Sequence, residues 1–174
     1  MIRDKIKKEM AALSPVAMLE TEHAAKGYDL DVRVSPDQVV AAAEIMDRAG
    51  FFIEAVTGVD WLLEAKAAPP KPKAPSEAGE QPEGGGAAEE AAPTAPEMEV
   101  VYDFNIASEL CRVVVRTRIP RDNPELPTIQ QVYPGANWHE RETHDFFGIK
   151  FVGHPNLTPF LLPEDADFHP LLKG

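Results

Sequence analysis

The sequence predicts an α+β domain: a small, mostly antiparallel sheet with one helix packed on it, an N-terminal helix, and an extended C-terminal tail. Three observations carry this prediction. Tyr28, Leu30, Val32 and Val34 alternate with Asp29, Asp31 and Arg33, the period-two pattern of a half-buried strand. Val39, Ala43 and Met46 then recur at helical spacing, between a start signal and a stop signal. Finally, two β-rich arms, 99–106 and 110–119, flank the short polar turn Ala107-Ser108-Glu109, which predicts a hairpin. The order strand, helix, strand, strand, strand gives one helix layered on a sheet.

Taken in order, residues 1–20 predict a helix whose apolar side is Ile6, Met10 and Leu13. The helix packed on the sheet begins at Ser35-Pro36-Asp37-Gln38: Ser as N-cap, Pro at the first helical position, and Gln three residues on. Gly50 is its natural stop, because a left-handed residue closes the last turn and Gly adopts that conformation without steric cost. Phe51 to Trp61 is rich in Phe, Ile, Val and Trp and predicts the next strand, with Gly58 marking a bulge or bend. In the second hairpin arm Cys111, Val113, Val115 and Ile119 share one face. Arg112, Arg116 and Arg118 share the other with Val114, so that face is wet or covered by a partner.

Between the strands lies a segment of different chemistry. Residues 66–96 hold seven Pro, four Gly and nine Ala, with no aromatic and no aliphatic side chain larger than Ala. Such a stretch cannot bury enough apolar surface to offset its ordering entropy, and it predicts a disordered insert. The α+β domain is therefore split into 28–65 and 97–132, and 133–174 forms a signature helix followed by an interaction tail. Thr128 predicts the cap of a short helix ending before Pro134. Asn137 has the chemistry of an N-cap with Glu140 as its capping-box partner, so the next helix spans Trp138–Phe147 and stops at Gly148. Beyond it, Gly153, Pro155, Pro159, Pro163 and Pro170 forbid regular structure.

Composition excludes several functions. A net charge of −12 argues against a nucleic-acid binder and against direct attraction to an anionic membrane. The single cysteine, Cys111, sits in an apolar run and reads as a buried thiol, not a nucleophile, disulfide partner or cluster ligand. No apolar run approaches the ~20 residues that span a bilayer, and the N-terminus lacks the apolar core of a secretory signal. A soluble, cytoplasmic chain is expected, held near any membrane through partners only.

The tail concentrates what chemistry there is. His139, His144, His154 and His169 beside Glu140, Glu142 and Asp145 raise a metal site, and with it the reading of a freestanding metalloenzyme using His139, His144, Glu140 and Glu142. The spacing is poor, because His139 and His144 lie five apart and point roughly 140° away from each other on a helix. Paired carboxylates for acid–base work are a second option, but Arg141 and Asp145 stand at i, i+4, where an ion pair is the simpler account. No Gly-rich phosphate loop, Gly-x-Ser-x-Gly or Cys-x-x-Cys is present, so neither a catalytic residue nor a metal ligand is assigned. Phe146, Phe147, Phe151, Phe160, Leu161, Leu162 and Leu171 load the tail with apolar side chains without a helical period. Such a tail either folds back on its own domain or lies on another protein; aromatics and an Arg among prolines resemble an interface segment and favour the second reading.

At this tail the sequence resembles a known family, the 30 kDa subunit (C-subunit) of the proton-pumping NADH:quinone oxidoreductase (respiratory complex I), together with the related subunit of membrane-bound nickel–iron hydrogenases. The residues carrying the resemblance are Tyr133-Pro134, Ala136-Asn137-Trp138, Glu140-Arg141-Glu142, Asp145, Phe147-Gly148-Ile149, Phe151, Gly153-His154-Pro155, Leu157 and His169-Pro170-Leu171. The resemblance implies a subunit of a multisubunit oxidoreductase with no flavin, iron–sulfur cluster or quinone site of its own. It implies docking on the large, hydrogenase-like subunit and on iron–sulfur subunits of the complex, on the cytoplasmic side of the membrane. Flavin, iron–sulfur clusters or a nickel–iron centre would sit on those partners. Trp138, Glu140, Arg141, Glu142, Asp145, Phe147, Gly148, His154, Pro155, His169 and Pro170 are then interface residues. The equivalent subunit of an energy-converting hydrogenase or formate hydrogenlyase is the alternative assembly.

Overall fold

The computed structural model describes residues 1–62 and 96–173; the predicted insert at 66–96 lies outside the described residues except for Pro96. The chain forms helix α1 (Ile2–Ala11), strand β1 (Ala17–Glu20), a short helix α2 (His23–Lys26) and strand β2 (Leu30–Arg33). Helix α3 (Val39–Arg48), β3 (Phe52–Asp60), β4 (Glu97–Ile106), β5 (Cys111–Pro120) and β6 (Glu125–Pro127) follow. Helix α4 (Ala136–Phe147) and β7 (Lys150–Val152) complete it. The main sheet has the order β1-β2-β5-β4-β3, antiparallel except for the parallel pair β2–β5.

The predicted α+β class holds, with corrections to its elements. The N-terminal helix does not reach residue 20. It ends at Ala11, and Ala17–Glu20 pairs with β2 as an edge strand. Ser14 adopts a positive φ of 53° immediately before Pro15, whose ring disfavours a helical residue ahead of it. The Ser35 start is as expected: the Ser35 amide donates to Gln38 Oε1 at 3.1 Å, although the first turn is a 3₁₀ turn running into α3. The irregularity in β3 falls between Ile53 and Ala55, not at Gly58. Gly58 serves packing instead, since a Cβ there would meet the Phe147 ring at 2.6 Å.

One face of the sheet carries the core. Leu30, Val32, Val100, Tyr102, Phe104, Val113 and Val115 are buried against Ile6 and Met10 of α1 and Ala42, Ala43 and Met46 of α3. Helix α4 joins the same core through Ala136 and Phe147. The opposite face is covered by its own side chains. Glu99, 1% exposed, lies 3.7–4.0 Å from Arg33, Arg116 and Arg118. Arg116 also pairs with Asp31, and Arg112 with Asp103 and Glu54. Val114, on this same charged face, is 2% exposed.

Candidate docking surface

Two short parallel strands set the position of α4. Leu126 of β6 stands opposite Phe151 of β7, both fully buried, so the segments before and after the helix are clamped together. Tyr133 donates its hydroxyl to the Phe51 carbonyl at 3.0 Å, and Thr143 donates to the Val56 carbonyl at 3.1 Å, fixing α4 onto β3. The helix begins at Ala136, two residues before the expected start, and Asn137 lies inside it without capping it. Glu140 does not reach back to an N-cap. Its carboxylate turns inward, accepts the Ile129 amide at 2.8 Å and the Thr128 hydroxyl, and holds residues 128–133 as a turn where a short helix was expected. Gly148 closes α4 as predicted, at φ +74°, with its amide on the His144 carbonyl.

Glu140 is fully buried, and burial pushes its pKa up to about 7, with the bonds from Thr128 and Ile129 pulling the other way. His154 Nε2 is 3.9 Å away, and burial lowers the His154 pKa. His154 donates from Nε2 to the Asn137 carbonyl at 3.3 Å and accepts the Asn156 amide on Nδ1 at 3.1 Å, so both ring nitrogens are engaged. His144 donates to the Ile149 carbonyl and His169 to the Asp145 carbonyl. Among the described residues no three His, Cys, Asp or Glu side chains converge as a metal site. Burial raises the Cys111 pKa to about 11, which disfavours a nucleophilic thiolate.

The expected Arg141–Asp145 ion pair is absent because each residue holds the tail instead. Asp145, 3% exposed, accepts three consecutive amides on Oδ2: Phe160 at 2.8 Å, Leu161 at 2.7 Å and Leu162 at 3.2 Å. Burial alone would raise its pKa, but these amides overcome it and lower the pKa below the ordinary value. Arg141 donates to the Thr158 and Pro159 carbonyls at 3.2–3.3 Å, with its guanidinium 5.4 Å from the Trp138 ring centre and 5.0 Å from that of Phe160. The Leu171 amide reaches the Phe146 carbonyl at 3.0 Å. The His169 ring lies so close over Gly148 that a Cβ there would meet it at 2.8 Å.

The far end is tied by a residue that spacing did not reveal. Asp60, at the end of β3, accepts the Lys173 amide at 2.8 Å and the Arg121 guanidinium at 3.1 Å, and Arg121 also donates to the Lys173 carbonyl. Asp60 stands 113 residues before Lys173, and no local pattern connects the two. Asp60, Arg121 and Thr143 thus work here without a sequence signal, whereas Thr128, expected as a helix cap, instead donates to Glu140.

The outcome is a strap whose polar backbone faces inward and whose apolar side chains face outward. Trp138, Phe160, Leu161, Phe168, Leu171 and Leu172 are 37–55% exposed. Of the predicted interface residues, Trp138, Pro155 and Pro170 are exposed, and Arg141, Glu142, Gly148, His154 and His169 are partly so. Glu140, Asp145 and Phe147 are buried; they hold the surface in place and do not form it.

Residues 32–174 match the family described as respiratory-chain NADH dehydrogenase, 30 Kd subunit. The chain is 33% identical over 149 residues to the NADH-quinone oxidoreductase C-subunit of Roseiflexus castenholzii, an alignment covering 83% of this chain and 68% of that protein. Against the C-subunit from Mycolicibacterium paratuberculosis it is 41% identical over 80 residues, 46% of this chain and 34% of that protein. The fold matches a trypsin-resistant fragment of Nqo5 with a TM-score of 0.63 at 24% identity, covering 90% of this chain and 100% of the fragment. It also matches one polypeptide of the membrane-bound sulfane sulfur reductase, an archaeal respiratory membrane complex, with a TM-score of 0.64 at 24% identity, covering 95% of this chain and 79% of that one. The chain belongs to the 30 kDa subunit family of the respiratory-chain NADH dehydrogenase.

Proposed function

We propose that this chain is a cofactor-free structural subunit of the hydrophilic arm of a proton-translocating NADH:quinone oxidoreductase. It docks through its C-terminal strap on the large, hydrogenase-like subunit and supports electron transfer from NADH to quinone by holding the redox subunits in line. Flavin and iron–sulfur clusters, or a nickel–iron centre in a hydrogenase-type assembly, belong to those partners. The attachment to the membrane is peripheral, made through those partners on the cytoplasmic side. Among the described residues no helix is long and apolar enough to cross a membrane.

The observation that carries this reading is the strap itself. The amides of residues 160–162, 171 and 173 and the carbonyls of Thr158 and Pro159 are held by Asp145, Phe146, Asp60 and Arg141, while Leu161, Phe168 and Leu171 stay more than half exposed. Buried polar groups with exposed apolar ones is the reverse of a segment that folds for its own sake, and it suits a protein interface. The test is affinity purification of the tagged chain from its own cells in mild detergent. The large subunit and NADH:quinone activity should co-purify, and deletion of residues 158–174 should lose both while β1–β5 keep their strand signature. Recovery of the full chain alone, as a monomer, contradicts the proposal. Co-purification of nickel in place of flavin selects the hydrogenase-type assembly.

A further inference from the structure

The exposed strip of the strap is not uniformly apolar. Leu161, Phe168, Leu171 and Leu172 are interrupted by Glu164, Asp165 and Asp167, all three exposed. These carboxylates make no hydrogen bond or ion pair with any other described residue, whereas Asp145 of α4 accepts three amides on Oδ2. Within 158–173 the only fixed positive charge is Lys173, whose backbone is already held by Asp60 and Arg121. The strip is thus a set of exposed apolar side chains interspersed with exposed carboxylates, with its backbone held near both ends.

We propose that this strip fits a partner surface that is apolar and carries Lys or Arg side chains opposite Glu164, Asp165 and Asp167, and that these three carboxylates choose that partner and its register. The inference rests on the docking reading above and adds the chemistry of the surface met. A carboxylate moved toward a dry interface must exchange water for another donor, and Lys and Arg supply charge-assisted ones. Exposed charges act mainly on encounter rate and salt dependence, whereas the apolar contacts set how long the complex lasts. The two contributions therefore separate experimentally. A second copy of this chain is a poor occupant, because two such strips would bring three carboxylates against three.

The test uses the full chain co-expressed with the large subunit and captured by a tag on this chain, across about 50 to 500 mM NaCl, a range over which screening shortens from more than 10 Å to a few ångström. Wild-type retention should fall with salt. E164Q/D165N/D167N should be retained about tenfold less at low salt, the scale of a few exposed ion pairs, with its salt dependence flattened. E164K/D165K/D167K should be weaker still. F168A/L171A should be lost at every salt concentration, with near-UV dichroism unchanged. If the neutralised triple variant binds as wild type throughout while F168A/L171A fails, the basic partner surface is wrong and docking by the strap stands. If F168A/L171A and the 158–174 deletion both bind as wild type, the docking reading itself fails. Concentration-dependent dimerisation of the chain alone, abolished by F168A/L171A, would also overturn the proposal in favour of a second copy.

Discussion

Replacing Glu140 by Gln should change how stability depends on pH, with a sign and size set by burial. The Glu140 carboxyl is fully buried and its pKa rises from the ordinary 4.5 to about 7. Between those values the folded chain binds a proton that the unfolded chain has released, so stability falls as pH rises through this window and levels off above it. The gap is about 2.5 pH units, and at about 1.36 kcal/mol per unit this makes about 3 kcal/mol. Gln keeps the shape and can still accept the Ile129 amide, while the Thr128 hydroxyl turns to accept from the side-chain amide. The variant has no charge to bury. The stability of E140Q minus that of wild type, from urea unfolding at about pH 5, 6, 7 and 8, should therefore increase by about 3 kcal/mol. Taking the difference cancels the titrations of groups remote from residue 140; His154, 3.9 Å from the carboxylate, has a lowered pKa and makes a contribution of opposite sign. A difference independent of pH would refute the reasoning.

Further outcomes follow from three particular contacts. Gly58→Ala places a methyl 2.6 Å from the Phe147 ring; the ring must move, costing about 1–3 kcal/mol in thermal or urea unfolding and loosening α4 from β3. Asp145→Asn leaves the amides of Phe160, Leu161 and Leu162 with a weaker acceptor, so amide exchange at those positions should accelerate severalfold while β4 and β5 stay protected. In the wild type the same release should occur in acid, because the lowered Asp145 pKa gives stability that is complete above the ordinary carboxylate range and lost as pH falls through the folded value. Tyr133→Phe removes the bond to the Phe51 carbonyl and should cost about 1 kcal/mol of unfolding free energy.

Most of the fold was legible because its signals are local. The alternation at 28–34, the Ser35 start, and the arms around 107–109 each determine an element from neighbouring residues, and each is present. β1 was missed because Ala17–Glu20 is short and mostly exposed, so it carries no burial pattern; only pairing with β2 makes it a strand. Gly58 was misread for a related reason. A glycine in a strand signals close approach, and whether the neighbour is a bulge or the ring of Phe147 depends on a residue far along the chain.

The tail divides the same way. Its proline punctuation and apolar load forecast an extended surface segment. The i, i+4 spacing of Arg141 and Asp145 forecast an ion pair that the tail amides and carbonyls displace. A carboxylate meeting three backbone amides at once is better satisfied than one meeting a single exposed guanidinium. Sequence spacing cannot reveal that competition, because the amides come from residues fifteen to seventeen positions away. Asp60 and Arg121 lay beyond reach altogether, since their partner is the far terminus.

The most direct test places a photo-cross-linking residue at Phe168, on the exposed side of the strap, and irradiates the native membrane complex. The account predicts one dominant adduct, between this chain and the large hydrogenase-like subunit. Adducts confined to this chain's own residues, in an assembly that contains the large subunit, would contradict it.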